Sequence, residues 1–475
     1  MIQFMANIHD LISKAYYTTW VPRKHHGTLG KRLEWFRNNE TKSAEEIEKL
    51  RWSLLSRLLR HAEEHVPYYR QLFQKLSIRA ADISTAEQFA RLPLLTKTDI
   101  QEQLDSLVAE NYDRKNLIRA ATGGSTGAPV PFFHDREYER QNNALILRNQ
   151  LWTGWNYGEP IVKVWGAAFD IQPQEQVKEK LTNILKNEIT LPAFEMTRES
   201  QREWLEKISR IQPSLIIGYT NLLAKLAEFN QQNRIIEDDL GVKAVVCSAE
   251  TLFPWQRELL QQTFGGRVFN RYGTRELSTV AHECPAGKLH IREDWLYVEI
   301  VDDQGLPAPP GQMGQVVLTS LFNLGMPFIR YAIQDVSAFA PADEPCSCGR
   351  TFGALSQIEG RIGDLIALPK GGCLSGLFFP HLFKDYDIRN FQVIQPAIDR
   401  LEIYIVKGEY FGAEASERIR RTISQHAPGI QLAFHFVAEI SPTASGKHRH
   451  TVSHVTEAGV LKQDRYTSLS KLTRR

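Results

Sequence analysis

Between about residues 137 and 270 the chain switches repeatedly between two hydrophobic periods, and no other feature narrows its fold as much. Apolar residues recur at helical spacing near 137–151, around Arg202–Ile211 and from about 221 to 229. A further helix has Pro254 in its first turn and is ended by Gly265 and Gly266. Between these segments lie short apolar runs: IVKVW at 161–165, LIIGY at 215–219, VKAVV at 242–246 and RVFN at 267–270. Strand, helix, strand in succession predicts a parallel sheet covered by helices. After Asp294 the texture becomes alternating strands with turns at Asp303-Gln304-Gly305 and Pro309-Pro310-Gly311, which predicts a more antiparallel subdomain. Past a boundary at Gly360–Asp364, FQVIQ, LEIYIV, a helix from about Ala413 to His426 and QLAFHFV make a compact α+β unit of roughly 110 residues. Upstream, the capping box Ser43/Glu46 opens an amphipathic helix through Ile47, Leu50, Leu54, Leu55, Leu58 and Leu59 that stops before Pro67. The expected fold is α/β: a large N-terminal domain with parallel helix-flanked sheets plus a more antiparallel subdomain, and a small mobile C-terminal α+β domain.

With 475 residues, 42% of them hydrophobic and 24% charged, the chain is large enough for well-buried cores, so disorder as its dominant state is excluded. Lys+Arg total 57 against Asp+Glu 55, a net charge of +2 with no block of like charge, and nucleic acid is therefore not an expected partner. No apolar run is long enough for a membrane span. Asn7, His9, Asp10, Ser13 and Lys14 interrupt the N-terminal segment, leaving no signal-peptide core. Five cysteines in so long a chain make a poor disulfide framework. These features predict a soluble cytoplasmic protein, without internal repeats, whose basic tail after about Asp464 is frayed.

Thr122-Gly123-Gly124-Ser125-Thr126-Gly127 lies between two strand-like stretches, LIRAA and Val130–His134. Three glycines let the backbone turn its N–H groups inward and three hydroxyls add donors, a set suited to the oxygens of a polyphosphate. A Walker loop needs GK[ST] running into a helix, and both are missing here. Taken alone, the stretch reads as a glycine-rich turn. Its company changes that reading.

From about Leu92 onward the chain resembles the adenylate-forming superfamily, in the branch that holds phenylacetate-coenzyme A ligase and the CapK-like proteins of capsule gene clusters. Leu92-Pro93 with Thr96-Lys97 resembles the family's opening segment, and TGGSTGAPV at 122–130 its phosphate loop. SAET at 248–251 resembles the adenine-side loop, RYGTRE at 271–276 the aromatic-glycine-glutamate motif, and IRYAIQD at 329–335 the ribose motif. EGRIGD at 359–364 is similar to the interdomain hinge and PTASGK at 442–447 to the C-terminal lysine motif. Each fragment is weak; seven in order are specific. The divisions implied are an N-terminal helical region of the large domain at 1–90, an adenylation core at 91–360 and a C-terminal lid at 361–475.

The resemblance implies that ATP and a carboxylic acid give acyl-AMP and pyrophosphate, and that the acyl group then passes to coenzyme A, a carrier-protein thiol or an amine, with polysaccharide biosynthesis among the settings. It implies ATP contacts from Thr122, Gly123, Gly124, Ser125, Thr126 and Gly127 in the phosphate loop, Ser248, Ala249 and Glu250 on the adenine side, and Tyr272, Gly273 and Thr274. Tyr272 would stack on adenine, Asp335 would accept hydrogen bonds from the ribose hydroxyls and Arg361 would assist there. Glu276 would hold Mg²⁺, and Lys447, between Gly446 and His448, would carry a point charge to the reacting oxygens. The chain departs from the family in four places: Val130 where a lysine often stands, Arg275 before the glutamate, Ala332 in the ribose motif and Gly363 at the hinge. Arg275 is expected to contact the α-phosphate or the substrate carboxylate. The departures keep open a non-catalytic, nucleotide-binding scaffold.

Cys346-x-Cys348 beside Gly349, with Cys284 and His290 upstream in ECPAGKLH, offers three sulfurs and an imidazole, a closed set for structural Zn²⁺, with His282 as the rival fourth ligand. The acid pocket is expected against Trp165, Gly166, Ala167, Ala168, Phe169 and Asp170, none of which names a substrate.

Overall fold

Ser43 opens its helix as its sequence demands: its hydroxyl accepts from the Glu46 N–H at 3.2 Å while its own N–H donates to the Glu46 carboxylate at 2.8 Å. In the computed structural model the described residues are 28–122, 130–165, 183–192, 196–302, 304–341, 345–361, 366–369, 373–374, 376, 378–383, 386–440, 450–455 and 466–467, with Ser13, Ala15 and Tyr16. Helices α1 (Thr28–Asn39), α2 (Ala44–His65) and α3 (Pro67–Leu76) come first, with Pro67 at the first position of α3, where its missing N–H costs nothing. A hairpin of β1 (Ile118–Ala121) and β2 (Pro131–His134) follows, then α4 (Arg136–Trp152).

Strands β3 (Ile161–Trp165), β4 (Glu188–Pro192), β5 (Leu215–Tyr219), β6 (Ala244–Ser248) and β7 (Arg267–Thr274) pair in parallel in the order β4-β3-β5-β6-β7. Alternate residues face opposite sides. Ile161, Leu215, Ile217, Ala244, Val246 and Phe269 join one core, which Leu145 of α4 and Phe36, Leu55, Leu58 and Phe73 of α1–α3 complete. Val162, Val164, Ile216, Val245, Cys247 and Val268 join the other. Helices α5 (Arg198–Ile211), α6 (Thr220–Asn233) and α7 (Pro254–Phe264) cover that second face through Leu205, Leu226 and Leu260. Coverage on both faces is what the unbroken apolar runs require.

The switch to antiparallel pairing comes earlier than Asp294, and it continues the same sheet. β8 (Ser278–Glu283) turns back on β7, β9 (Leu289–Ile291) pairs with β8, and β10 (Leu296–Val301), β11 (Gly314–Ser320), β12 (Tyr331–Phe339) and β13 (Ala354–Arg361) extend the ladder. Among the described residues the sheet has eleven strands, ordered β10-β11-β12-β13-β9-β8-β7-β6-β5-β3-β4. A hairpin at β7 uses the ladder groups that an edge would otherwise leave unpaired, so a separate sheet is not needed.

After β14 (Ile366–Ala367) and β15 (Cys373–Leu374), a second sheet is built from β16 (Ile388–Ala397), β17 (Arg400–Lys407), β18 (Gln431–Phe436) and β19 (Thr451–Ser453), ordered β18-β17-β16-β19. Leu401, Ile403 and Ile405 of β17 alternate inward against Ile419 and Ile423 of α8 (Ala413–His426). The tail expected to fray contains β20 (Tyr466–Thr467), which pairs in parallel with β15. Among the described residues no helix is long and apolar enough to cross a membrane, and Cys247, Cys284, Cys346 and Cys348 are free thiols.

Arg148 of α4 and Asp294 form a bidentate pair at 2.6 and 3.0 Å with neither side chain exposed, and Asn39 adds a hydrogen bond to the same carboxylate. Removing one member leaves the other charge buried alone. Asp294→Ala should therefore destabilise the large domain by about 3–5 kcal/mol in urea unfolding, and a loss below about 1 kcal/mol would show that the pair is not an anchor.

Candidate active site

The residues implied for nucleotide binding converge on the turn between β7 and β8. Gly273 is needed there by space: a Cβ on it would lie 2.5 Å from the Ser278 carbonyl oxygen. The Thr274 hydroxyl accepts from the Leu277 N–H at 3.0 Å. Tyr272 donates its hydroxyl to Asp335 Oδ2 at 2.7 Å, which joins the aromatic motif to the ribose motif. Glu276 is buried, and Tyr331 of β12 donates to its Oε1 at 3.0 Å. Its carbonyl oxygen is held from the other side by His134 Nε2 at 2.7 Å and the Tyr138 hydroxyl at 3.3 Å.

Arg275 donates to the carbonyl of Ala121, at the end of β1, at 3.3 Å. The next residue, Thr122, closes the base of the β1–β2 loop by two bonds with Val130: N–H to carbonyl at 2.9 Å, and hydroxyl accepting from the Val130 N–H at 3.0 Å. The foot of the glycine-rich loop and the 275–276 pair therefore lie on one face, within hydrogen-bonding reach. Gly123, Gly124, Ser125, Thr126 and Gly127 lie outside the described residues, as do Gly363, Lys447 and its neighbours, and residues 166–170. The Arg361 backbone pairs with that of Asp335, while its side chain is not among those described.

The adenine-side loop carries its own mark. Ala249 holds φ +68°, a left-handed conformation that costs a non-glycine residue and persists only where its surroundings enforce it. Here Ser248 donates its hydroxyl to the Arg271 carbonyl at 3.2 Å, and Glu250 accepts from the Asn221 N–H at 2.9 Å while its carbonyl accepts from Thr220 at 3.2 Å. The opening segment meets the ribose motif directly: Leu95 donates to the Arg330 carbonyl and accepts from the Ala332 N–H, each at 2.9 Å. Sequence reasoning passed over His134, Tyr138 and Tyr331, the groups that orient Glu276. Tyr331 stands inside the motif already used for Asp335; a strand-end histidine gives no comparable signal.

A second constellation lies beneath α4. Cys284, Cys346 and Cys348 Sγ and the His290 ring nitrogen lie within 4.8 Å of one another. Cys284 Sγ is 3.6 Å from Cys346 Sγ, and Cys348 Sγ is 3.4 Å from His290 Nε2. Ligand distances of about 2.3 Å for sulfur and about 2.0 Å for nitrogen set tetrahedral edges of roughly 3.5–3.8 Å, so the donor set fits one Zn²⁺. His290 Nδ1 faces the Phe352 carbonyl at 2.6 Å, the bond that fixes a metal-bound imidazole. The rival His282 instead bonds the Glu283 carbonyl through Nδ1 at 2.7 Å and is not in the cluster. Arg292 is fully buried, its guanidinium 3.7 Å from the Trp152 ring centroid with no hydrogen-bond partner on any nitrogen. Three thiolates and one Zn²⁺ carry a net charge of −1, which such a cation would balance.

The family model described as CapK C-terminal domain matches residues 366–454. Protein CapK of Staphylococcus aureus is 23% identical over 403 residues, covering 83% of this chain and 86% of that protein. Phenylacetate-coenzyme A ligase of Pseudomonas putida is 25% identical over 336 residues, covering 68% and 71%. Among solved structures, 2-hydroxyisobutyryl-CoA ligase in its postadenylation state with 2-HIB-AMP shares the fold at a TM-score of 0.72 and 21% identity, covering 88% of this chain and 91% of the other. The chain is thus similar in sequence to phenylacetate-coenzyme A ligases and Protein CapK, and in fold to an acyl-CoA ligase that forms an acyl-adenylate.

Proposed function

We propose that this protein activates a carboxylic acid with ATP and passes the acyl group to a thiol, with coenzyme A as the acceptor that the relatives' names support best. In the first step a carboxylate oxygen bonds to the α-phosphorus while the bond from that phosphorus to the β-bridging oxygen breaks, giving acyl-AMP and pyrophosphate. The observation that carries this reading is that one short segment bonds the loop base through Arg275, the ribose motif through Tyr272 and Asp335, and Tyr331 through Glu276. Asp335 has the acceptors a ribose needs, and its bond from Tyr272 sets the ring plane against which adenine would stack. Arg275 lies beside the foot of the glycine-rich loop, and from there it would donate to an α-phosphate or carboxylate oxygen.

Glu276, oriented by Tyr331, would hold Mg²⁺, whose contribution is to neutralise phosphate charge. Lys447 would bring a second positive charge from the C-terminal domain. An amine on a glycan precursor follows as an alternative acceptor from the resemblance to CapK. In ATP–pyrophosphate exchange across a panel of acids, at least one acid should support exchange, and Lys447→Ala should abolish it. Glu276→Gln should lower exchange about 10²-fold with little change in melting temperature. Silence with every acid while nucleotide still binds would identify a scaffold instead.

The Cys284, His290, Cys346, Cys348 set we assign to a structural Zn²⁺, since four protein ligands leave no open position for chemistry. Protein purified without chelator should contain one zinc per chain and Cys348→Ser well under that, and chelation should lower the melting temperature. A zinc content near zero in the native protein overturns the assignment.

A further inference from the structure

Between α4 and the face of the sheet it covers lies a cavity of about 230 Å³, walled by Asn149, Lys163, Trp165, Arg271, Thr279 and His282 among others. It exceeds the roughly 150 Å³ that holds a benzene-sized guest. Ile146, Ile217, Val246 and Trp165 give it apolar area, but three of its polar walls carry atoms without partners. Asn149 is 4% exposed and neither amide atom has a partner; Thr279 is 0% exposed and its hydroxyl has none. The Nε of Arg271 is likewise shut off from solvent and unpaired. The Lys163 ammonium is neutralised by Glu188 at 2.6 Å. Arg271 meets no carboxylate among the described residues; the Trp165 ring lies 5.5 Å from its guanidinium, and Tyr219 is near enough to favour its charged form. Burial lowers its pKa to about 10, so it stays charged at neutral pH. His282 donates Nδ1–H to the Glu283 carbonyl and lies among arginines, so it adds no negative charge.

Position ties this cavity to the reaction. Arg271 precedes Tyr272, whose hydroxyl binds Asp335, and the Arg271 carbonyl accepts from Ser248 of the adenine-side loop. The cavity therefore begins one residue from the groups that would hold acyl-AMP, on the strands whose carboxyl ends form the ligand crevice in folds of this kind. An aryl or alkyl tail entering it would leave a cation, an amide and a hydroxyl buried without partners, the costly case for polar groups.

We propose that the cavity selects a small acid bearing a second carboxylate, which pairs with Arg271 and accepts from Asn149 and Thr279 while the first carboxylate reacts at phosphorus. This rests on the adenylation reading. Pyrophosphate exchange is measured with succinate and glutarate against butyrate, valerate and phenylacetate. The diacids should be favoured roughly tenfold or more in kcat/KM, the scale of one charge-assisted pair. Arg271→Leu should reverse that order, and Arg271→Lys should keep it with weaker discrimination. Without ATP, succinate should raise the melting temperature of the native protein and not of Arg271→Leu. Exchange confined to butyrate, valerate or phenylacetate, or a diacid preference untouched in Arg271→Leu, overturns the proposal and leaves adenylation standing. If no acid supports exchange and none shifts the melting temperature, both readings fall.

Discussion

The turn that carries the sheet from parallel to antiparallel pairing, between β7 and β8, has almost no freedom, and the site inherits its geometry from that. Gly273 passes so close to Ser278 that no side chain fits. The carbonyls that the turn aims inward are all answered: Glu276 by His134 and Tyr138, Leu277 by the Trp295 indole at 2.9 Å. A buried carbonyl that finds its donor on a different element fixes the distance between the two, because losing the bond costs the desolvation of both groups. The hairpin β1–β2 and helix α4 are thereby registered against one short segment, and strand β12 joins it through Tyr331 on the Glu276 carboxylate. The side chains of Arg271, Tyr272, Arg275 and Glu276 need no further means of alignment.

Four arginines packed against the sheet separate what holds the fold from what lacks a charge partner. Arg148 meets Asp294, and Arg330 meets Glu299 and the carbonyls of Ala90, Leu92 and Gly305, so both are satisfied by the chain itself and fasten the N-terminal segment to the sheet. Among the described residues Arg271 and Arg292 form no ion pair with a carboxylate, though Asp294 and Glu40 lie near enough to Arg292 to favour its charged form. Each of these two arginines lies against a tryptophan, Trp165 and Trp152 respectively, and beside a place where the proposed reading puts negative charge, a substrate carboxylate in one case and the thiolates of a metal centre in the other. Stacking on an aromatic face restores only part of the hydration that a buried guanidinium gives up.

The sequence made the parallel half of the sheet legible because buried strands in a doubly covered sheet are continuous apolar runs, and IVKVW, LIIGY and RVFN could be little else. Its antiparallel half was legible in kind but not in place. The pairing direction of β8 is set by the tight turn at Gly273, and nothing in the STVAHE stretch itself distinguishes a new sheet from a continued one. The motif residues Tyr272, Glu276 and Asp335 could be singled out because their order along the chain carries a resemblance. Their partners His134 and Tyr138 were not, since a residue that acts through contact across more than a hundred positions leaves no local pattern. The choice of His290 over His282 depended on which ring reached Cys348, a fact of strand register: the two lie directly opposite on β8 and β9, and only one ring turns toward the thiols.

The same register bears on whether a site of this kind is worth its cost to stability. Arg271 extends from the middle of a sheet, flanked by β6 and β8, and cannot swing to solvent as a loop arginine could. In the unliganded protein its Nε is therefore left without water or partner, along with the Asn149 amide and the Thr279 hydroxyl. A purely structural wall would gain stability from an apolar residue at each of these positions. A wall that binds the far end of a reacting acid behaves differently, because interaction energy realised away from the reacting carboxylate can hold that carboxylate in line with phosphorus and offset the entropy of bringing two anions together. On the proposed reading, the unpaired groups in the cavity would fix where the acid lies and the paired groups around Glu276 where the nucleotide does.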